Sequence, residues 1–436
     1  MHTETEDRRK REKDLIAYWK KLYRQKQWHR YAPFQKTRGK GDFNVPYILL
    51  KAKNLQKDTR ATKWCKARPI APQTKHPMRK LFHLVGRAWS FVTANLPGEH
   101  FAINHGDVVP GWLRQTATRL AQHGEVSYEV MDMEGCFTNM PKDAIKFGLR
   151  ELTKRITRAT GHTGVVVPSK ASVRCEWVGK SRKKVGITKI PFEVMLEVIE
   201  FGLDNTFIKD RHGGLRRQVK GIPMGDPNSP GMCIGACAWM EMEWMSGLSR
   251  DTKEHFSSIR YMDDVLTLTA RSPRFDEERF KADFHRSECY WKPLRLEDGG
   301  AGTFLETSFT LAPNGSVTHW LKNVNDPEKE TKVWRYAHYH SYTPWAMKRS
   351  ILVSTLKKVD KMASDGDSLV SSALWKLAEF AKLRYPIQAL LRACTLVAVT
   401  TRNATWFKVR GAFSKYAYRY LPPSGGGYGR SRVLAN

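Results

Sequence analysis

The sequence predicts an α+β fold, with an antiparallel sheet that carries acidic residues at its strand ends and a helical region after it. Three observations lead there. Glu125 to Met133 alternates Val126, Tyr128 and Val130 in the period of a strand and delivers Asp132 near its end. Ile259 to Thr269 reads as two strands meeting at a tight turn that holds Asp263 and Asp264. From about Ser350 onward the apolar spacing turns helical and stays so.

The elements follow in order. Residues 7–30 are expected as a helix, because Leu15, Ile16, Trp19, Leu22 and Tyr23 recur at helical spacing while Lys20, Lys21, Arg24 and Lys26 form a basic face; Pro33 ends it. Val45 to Leu50 is strand-like. Residues 51–80 are dense in lysine and arginine, with little apolar periodicity before a helix that begins at Lys80 and reaches about Ala94. Pro141 to Arg155 reads as a helix. Residues 160–190 are basic and poor in pattern, and are expected as an irregular insertion or hairpin. Pro191 to Leu203 is helical, Asn205 to Val219 a hairpin, and Gly231 to Met245 a buried helix. Phe275 to Cys289 is expected as a helix, with strands at 293–298, 303–311 and 316–321 after it. The chain closes on a flexible, glycine-rich tail, Ser424 to Gly429, and shows no internal repeat.

Composition narrows the partner. Lysine and arginine number 74 against 43 acidic residues, a formal net charge of +31 spread along the whole length. Such a charge resists compaction and makes sense beside a polyanion, with nucleic acid the obvious candidate. The 14 Trp, 15 Tyr and 19 Phe speak against a merely basic, core-poor binder, since they supply both an interior and stacking surfaces. Seven scattered cysteines show neither CxxC pairs nor a zinc pattern with histidines, which suggests reduced thiols in an intracellular compartment. Cys233 and Cys237, one helical turn apart, read as packing. No apolar stretch has the length of a signal or a membrane span. Arg8-Arg9-Lys10-Arg11 reads either as a nuclear address or as the solvated start of a basic helix.

The acidic turn carries the chemistry. Adjacent carboxylates at a hairpin repel each other and lose hydration, a cost that a hard divalent cation removes. Two cations about 3.5–4 Å apart, as phosphoryl transfer uses them, need a further carboxylate. Asp132 is the natural partner, because its strand can lie beside the Asp263 hairpin.

Those residues and their neighbours give the chain a resemblance to reverse transcriptases, and among them most to the Penelope-like elements, whose relatives include telomerase. Asp132 to Pro141, with its Phe137-Thr138-Asn139-Met140-Pro141 ending, resembles the first palm motif, and Gly221 to Pro230 the second. Tyr261-Met262-Asp263-Asp264 resembles the third, and the tract opening Phe304-Leu305-Glu306 is like the strand that follows the palm. Ser341 to Pro344, Lys348 to Ile351 and Arg384-Tyr385-Pro386 match the thumb signature, and Arg68-Pro69-Ile70 is similar to the fingers motif. The likeness covers roughly residues 45–395; any one motif is weak alone, and the ordered set is strong.

The resemblance implies a right-hand polymerase. Residues 1–44 would be a basic helical extension, 45–105 fingers, 106–322 a palm with a basic insertion near 156–220, 323–420 a helical thumb and 421–436 a flexible tail. It implies an RNA-directed DNA polymerase with an RNA template, a DNA or RNA primer and deoxynucleoside triphosphates, working through two Mg2+ ions, or Mn2+ in their place, on Asp132, Asp263 and Asp264. Phe137 matches the steric gate that excludes a 2′-hydroxyl, and Met224 and Gly225 lie in the rigid loop that carries backbone toward a base pair. Arg68 and Lys66 are candidates for the triphosphate, since guanidinium forks fit phosphate. Lys292 or Arg295 would face the leaving pyrophosphate. Arg335, Tyr342, Trp345, Lys348 and Arg349 mix charge with aromatic faces as a nucleic-acid track requires.

Two departures stand out. Many Penelope-like proteins carry a C-terminal GIY-YIG nuclease, for which the sequence has no room after the thumb, and Asp226 replaces the usual serine of the second motif. Two other functions share the chemistry or the charge: an RNA-dependent RNA polymerase, against which Phe137 argues, and a catalytically silent RNA-binding scaffold, against which the three aspartates argue.

Overall fold

The structure is a computed structural model. It describes residues 2–35, 43, 45–50, 67–179, 186–210, 212, 214–273, 275–285, 289–323 and 335–416. Lys51, Lys53, Lys63, Lys66, Trp334 and the glycine-rich tail lie outside them.

Helix α1 (His2–Gln25) buries Trp19 and Tyr23 and leaves Lys20, Lys21 and Arg24 exposed. It stops before residue 30, because Gln27 adopts a left-handed φ of 54° and a 3-10 turn, Trp28–Arg30, follows. Strands β1 (Tyr47–Leu50) and β2 (Ala67–Ile70) pair antiparallel with Leu49 opposite Arg68; β2 has no apolar pattern and was not expected. Helix α2 (Arg79–Thr93) lies where its spacing puts it, whereas α3 (Val109–Leu120) was unforeseen. Strand β3 (Glu125–Met133), the single turn α4 (Cys136–Asn139) and α5 (Lys142–Thr160) come next.

Residues 160–190 bear out the hairpin alternative and enlarge it. They contain β4 (Gly164–Pro168), β5 (Glu176–Trp177) and β6 (Ile187–Pro191), a sheet in the order β5-β4-β6. Val165, Val166 and Val167 are all buried, so β4 is a continuous apolar run with no alternation to betray it. Helix α6 (Phe192–Asp204), the hairpin β7 (Phe207–Lys209) and β8 (Leu215–Arg217), and α7 (Ser229–Gly247) lie close to expectation. Then come α8 (Arg250–His255), β9 (Phe256–Tyr261), β10 (Asp264–Arg271), α9 (Glu277–His285) and β11 (Leu296–Asp298), whose strand is shorter than the expected 293–298.

The expected strand 303–311 is broken at Leu305, whose φ is 53°, into β12 (Thr303–Phe304) and β13 (Thr307–Leu311); β14 (Val317–Leu321) pairs with β13. Four helices follow: α10 (Trp345–Met362), α11 (Gly366–Lys382), α12 (Ile387–Thr401) and α13 (Thr405–Tyr416).

The chain divides into two compact units, residues 1–105 with 128–300, and residues 106–127 with 301–436. The first contains a four-stranded sheet in the order β11-β3-β10-β9. Its core runs from Leu149 and Leu152 of α5 through Met195 and Ile199 of α6 to Cys233, Cys237 and Met240 of α7. The N-terminal helix belongs to that core: Trp19 stacks on His76 at 4.6 Å, and Tyr23 meets Phe34 at 5.2 Å. Burying such rings is worth several kcal/mol, so what reads in sequence as an extension is an integral element (~3–5 kcal/mol for a buried Trp or Phe cut to Ala). The second unit has its own core, with Leu352, Leu377, Leu390 and Trp406 contributed one by each of α10 to α13.

Candidate active site

The third motif is a hairpin of minimal length. Asp264 pairs with Tyr261 across β9 and β10, which leaves Met262 and Asp263 as a two-residue turn. Met262 takes a positive φ of 57°, the backbone that tight hairpin turns demand and that non-glycine residues seldom adopt. The strand ending in Asp132 is the hydrogen-bonded neighbour of β10, and Met133 N donates to Asp263 O at 2.8 Å. On its other side β3 pairs with β11, Asp132 opposite Glu297. Asp132, Asp263 and Asp264 are all half-buried. Adjacent strands lie about 4.8 Å apart, so the two acidic segments lie side by side at one end of the sheet's two central strands.

The oxygens of these aspartates are not drawn into a single tight cluster. Among the described residues, the one group of three candidate ligands with all ligand atoms within 4.8 Å of one another is Cys136, Cys233 and Cys237. Cys136 Sγ lies 3.4 Å from Cys233 Sγ, and all three thiols are buried. Sequence spacing could not have brought Cys136 to the other two, because it comes from α4 and they come from α7.

The first two palm-like motifs meet. Ile222 N donates to Phe137 O at 2.6 Å, and a Cβ on Gly221 would sit 2.4 Å from that same oxygen. Gly221 has a φ of 76°, so both the backbone and the close approach require glycine. Phe137 itself is half-buried against the core. Two residues on, Met224 O accepts from Ala71 N at 2.7 Å, and a Cβ on Gly225 would lie 3.0 Å from Ala71 O. The loop is therefore laced to the residue that follows β2, the strand whose backbone includes Arg68. Asp226 is buried; its Oδ1 accepts from Asn228 N at 2.7 Å and Asn228 Nδ2 at 2.8 Å. Burial pushes its carboxyl up from 3.8 to about 6, against the pull of those two donors. The residue that departs from the family pattern thus shapes the turn before α7.

Lys292 and Arg295 are exposed in the segment before β11, and Arg295 O accepts from Glu134 N at 2.9 Å, two residues beyond Asp132. In the second unit, the segments resembling the thumb signature are joined: Tyr339 N donates to Leu383 O at 2.9 Å and Tyr385 Oη to Ala337 O at 3.2 Å. Arg335, Tyr342, Trp345 and Arg349 are exposed there. Lys348 is not. It is 4% exposed, and its Nζ donates to Tyr339 O at 2.5 Å and Ser341 O at 2.7 Å. Its ammonium is engaged in donating to carbonyls of the preceding loop instead of meeting a phosphate, which corrects its placement on the nucleic-acid track.

One buried group escaped sequence reasoning altogether. Arg260 and Glu241 are both fully buried and paired, Nε to Oε1. A signal existed: the apolar helix 231–245 holds two glutamates, Glu241 and Glu243, and one that falls on a buried face requires a partner.

No family model and no curated protein matches the sequence. Solved structures do. Telomerase from Candida albicans, in complex with a TWJ fragment of telomeric RNA, matches with a TM-score of 0.54 at 12% identity, over 90% of this chain and 65% of that one. The corresponding complex from Candida tropicalis gives 0.47 at 12% identity, over 92% and 58% of the chains. The Sicinivirus 3Dpol RNA-dependent RNA polymerase gives 0.33 at 12% identity, over 66% and 54%. At such identity the likeness to the Candida albicans structure is one of fold alone, and it defines the class: a mixed α+β chain with a right-hand polymerase fold. Within that class the chain is similar to telomerase, and it spans 65% of the length of the Candida albicans protein. Among the described residues, no helix is long and apolar enough to cross a membrane.

Proposed function

We propose that the chain is an RNA-directed DNA polymerase of the Penelope-like type, extending a primer 3′-hydroxyl with deoxynucleotides on an RNA template. The observation that carries this reading is the bond from Met133 N to Asp263 O, which sets the strand of Asp132 against the turn of Asp263 and Asp264. The donor set fits magnesium, since it is made of carboxylate oxygen from a half-exposed edge. Two ions about 3.5–4 Å apart would share these carboxylates between two coordination spheres. The thiol cluster suits a hard cation poorly.

When bound, the ions supply Lewis acidity to the attacking hydroxyl and to the departing pyrophosphate. This chain's residues do the rest. Asp132, Asp263 and Asp264 hold the site's charge at the end of the two central strands. Phe137, its carbonyl tied to Ile222 N, lines the sugar and excludes a 2′-hydroxyl. Met224 and Gly225 present backbone to the nascent base pair, and Arg68 with Lys66 binds the triphosphate. Lys292 delivers a proton to the leaving pyrophosphate, or Arg295 stabilises its charge. Arg335, Tyr342, Trp345 and Arg349 contact the template–primer strands, an assignment supported by their exposure.

Primer extension on an RNA template with Mg2+, offering deoxy- and ribonucleotides separately, tests the reading. Deoxynucleotide incorporation that is lost in Asp263→Asn is expected. Ribonucleotide incorporation alone would make the chain an RNA-dependent RNA polymerase, and RNA binding without either would make it a scaffold.

A further inference from the structure

Arg260 is the penultimate residue of β9, the strand that enters the acidic turn, and it has no exposure to solvent. A buried guanidinium carries a desolvation cost of several kcal/mol, and a well-packed apolar side chain would often serve stability as well. What its planar fork offers is direction. Nε donates to Glu241 Oε1, Nη2 to Ile234 O at 3.3 Å, and Nη1 to Met262 O at 2.8 Å. Glu241 is held in turn: Tyr290 Oη donates to its Oε1 at 2.9 Å and Phe101 N to its Oε2 at 2.9 Å. Phe101 also accepts from Arg260 N through its carbonyl, at 2.6 Å, and Ile103 N donates to Arg260 O at 2.8 Å. The segment 101–103 thus pins the main chain of Arg260 directly and its side chain through Glu241.

The peptide groups on the two sides of Asp263 are rigid planes, and their orientations set its φ and ψ. The plane before it is held through Met262 O by Arg260, and the plane after it through Asp263 O by Met133 N. Met262 stands in a sparsely populated backbone region of the kind that persists only where its surroundings over-determine it. We propose that Arg260 is a positioning residue for the divalent-cation site: it anchors the peptide plane before Asp263, Glu241 and Tyr290 aim its guanidinium, and the carboxylate is thereby preorganised for the ions. This rests on the assignment of Asp132, Asp263 and Asp264 as cation ligands.

The test uses the full chain and reads Mn2+ binding by electron paramagnetic resonance, alongside the Mg2+ concentration that gives half-maximal primer extension. Arg260→Lys keeps a cation for Glu241 but loses the fork. Mn2+ affinity is expected to fall about tenfold or more, the usual effect of removing a group that orients a metal ligand, with the Mg2+ requirement rising in step. Tyr290→Phe, which removes one hydroxyl, should shift both in the same direction by a smaller factor. Leu152→Ala, a core substitution in α5 that lowers the melting temperature, should shift neither, which separates positioning from mere destabilisation. Should Arg260→Lys fail to melt cooperatively, Glu241→Gln and Tyr290→Phe decide by the same two readouts. Folded variants with wild-type Mn2+ affinity and Mg2+ requirement would overturn the positioning role. A wild-type chain whose Mn2+ binding is absent, or survives Asp263→Asn, would overturn the ligand assignment and the positioning role with it.

Discussion

Gly221 shows how little freedom single residues have around the acidic edge. Its Cβ would overlap Phe137 O at 2.4 Å and its φ is 76°, so Gly221→Ala must move backbone in two motifs at once. A loss of about 2 kcal/mol or more in denaturant unfolding is expected, with activity falling further than stability because Phe137 is displaced. Phe137 makes the sharper functional prediction. Phe137→Ala should raise ribonucleotide incorporation relative to deoxynucleotide incorporation while the chain stays folded, as single-turnover competition between the two would reveal. Asp226 gives a pH signature. Its carboxyl, raised by burial to about 6, keeps its proton in the folded chain over a range where the unfolded chain has lost it. Stability is therefore greatest below about pH 4 as far as this group is concerned, and that contribution is lost as pH rises to about 6. Asp226→Asn should flatten that slope and gain on the order of 2–3 kcal/mol at pH 7; urea midpoints measured from pH 4 to pH 8 would show it.

Among the elements, those with a clean period were legible. The alternation of Val126, Tyr128 and Val130 announced β3, and the apolar runs on both sides of Asp263 announced the hairpin. β4 was hidden for the opposite reason: three consecutive buried valines carry no period, and basic neighbours such as Lys170 and Arg174 made the stretch read as solvated. The Glu241–Arg260 pair was missed because charged residues in sequence read as surface; a glutamate in an apolar helix hinted at a buried partner, but only the fold shows that the partner is Arg260. The same bias put Lys348 on the outside. Helix α1 carries a prediction at this scale. Its aromatic face completes the first unit's core, so Trp19→Ala should cost about 3–5 kcal/mol even though the residue lies far along the sequence from every acidic residue named here.

The whole molecule is governed by its charge. An excess of 31 positive charges makes counterion release the main sequence-independent source of RNA affinity, so log affinity should fall linearly with log salt concentration. Arg349→Ala should reduce that slope by about 1, while Tyr342→Ala should weaken binding by about 1–3 kcal/mol at every salt concentration, as loss of a stacking face does. Filter binding across a salt series separates the two. Everything functional, however, leans on two acidic segments serving one pair of ions. The most direct measurement is anomalous scattering from crystals grown with Mn2+ and a non-hydrolysable deoxynucleoside triphosphate. Two peaks about 3.5–4 Å apart, coordinated by Asp132 and Asp263 and by the triphosphate, are the predicted result. An ordered triphosphate without metal at these carboxylates, or Mn2+ bound only elsewhere, would contradict it.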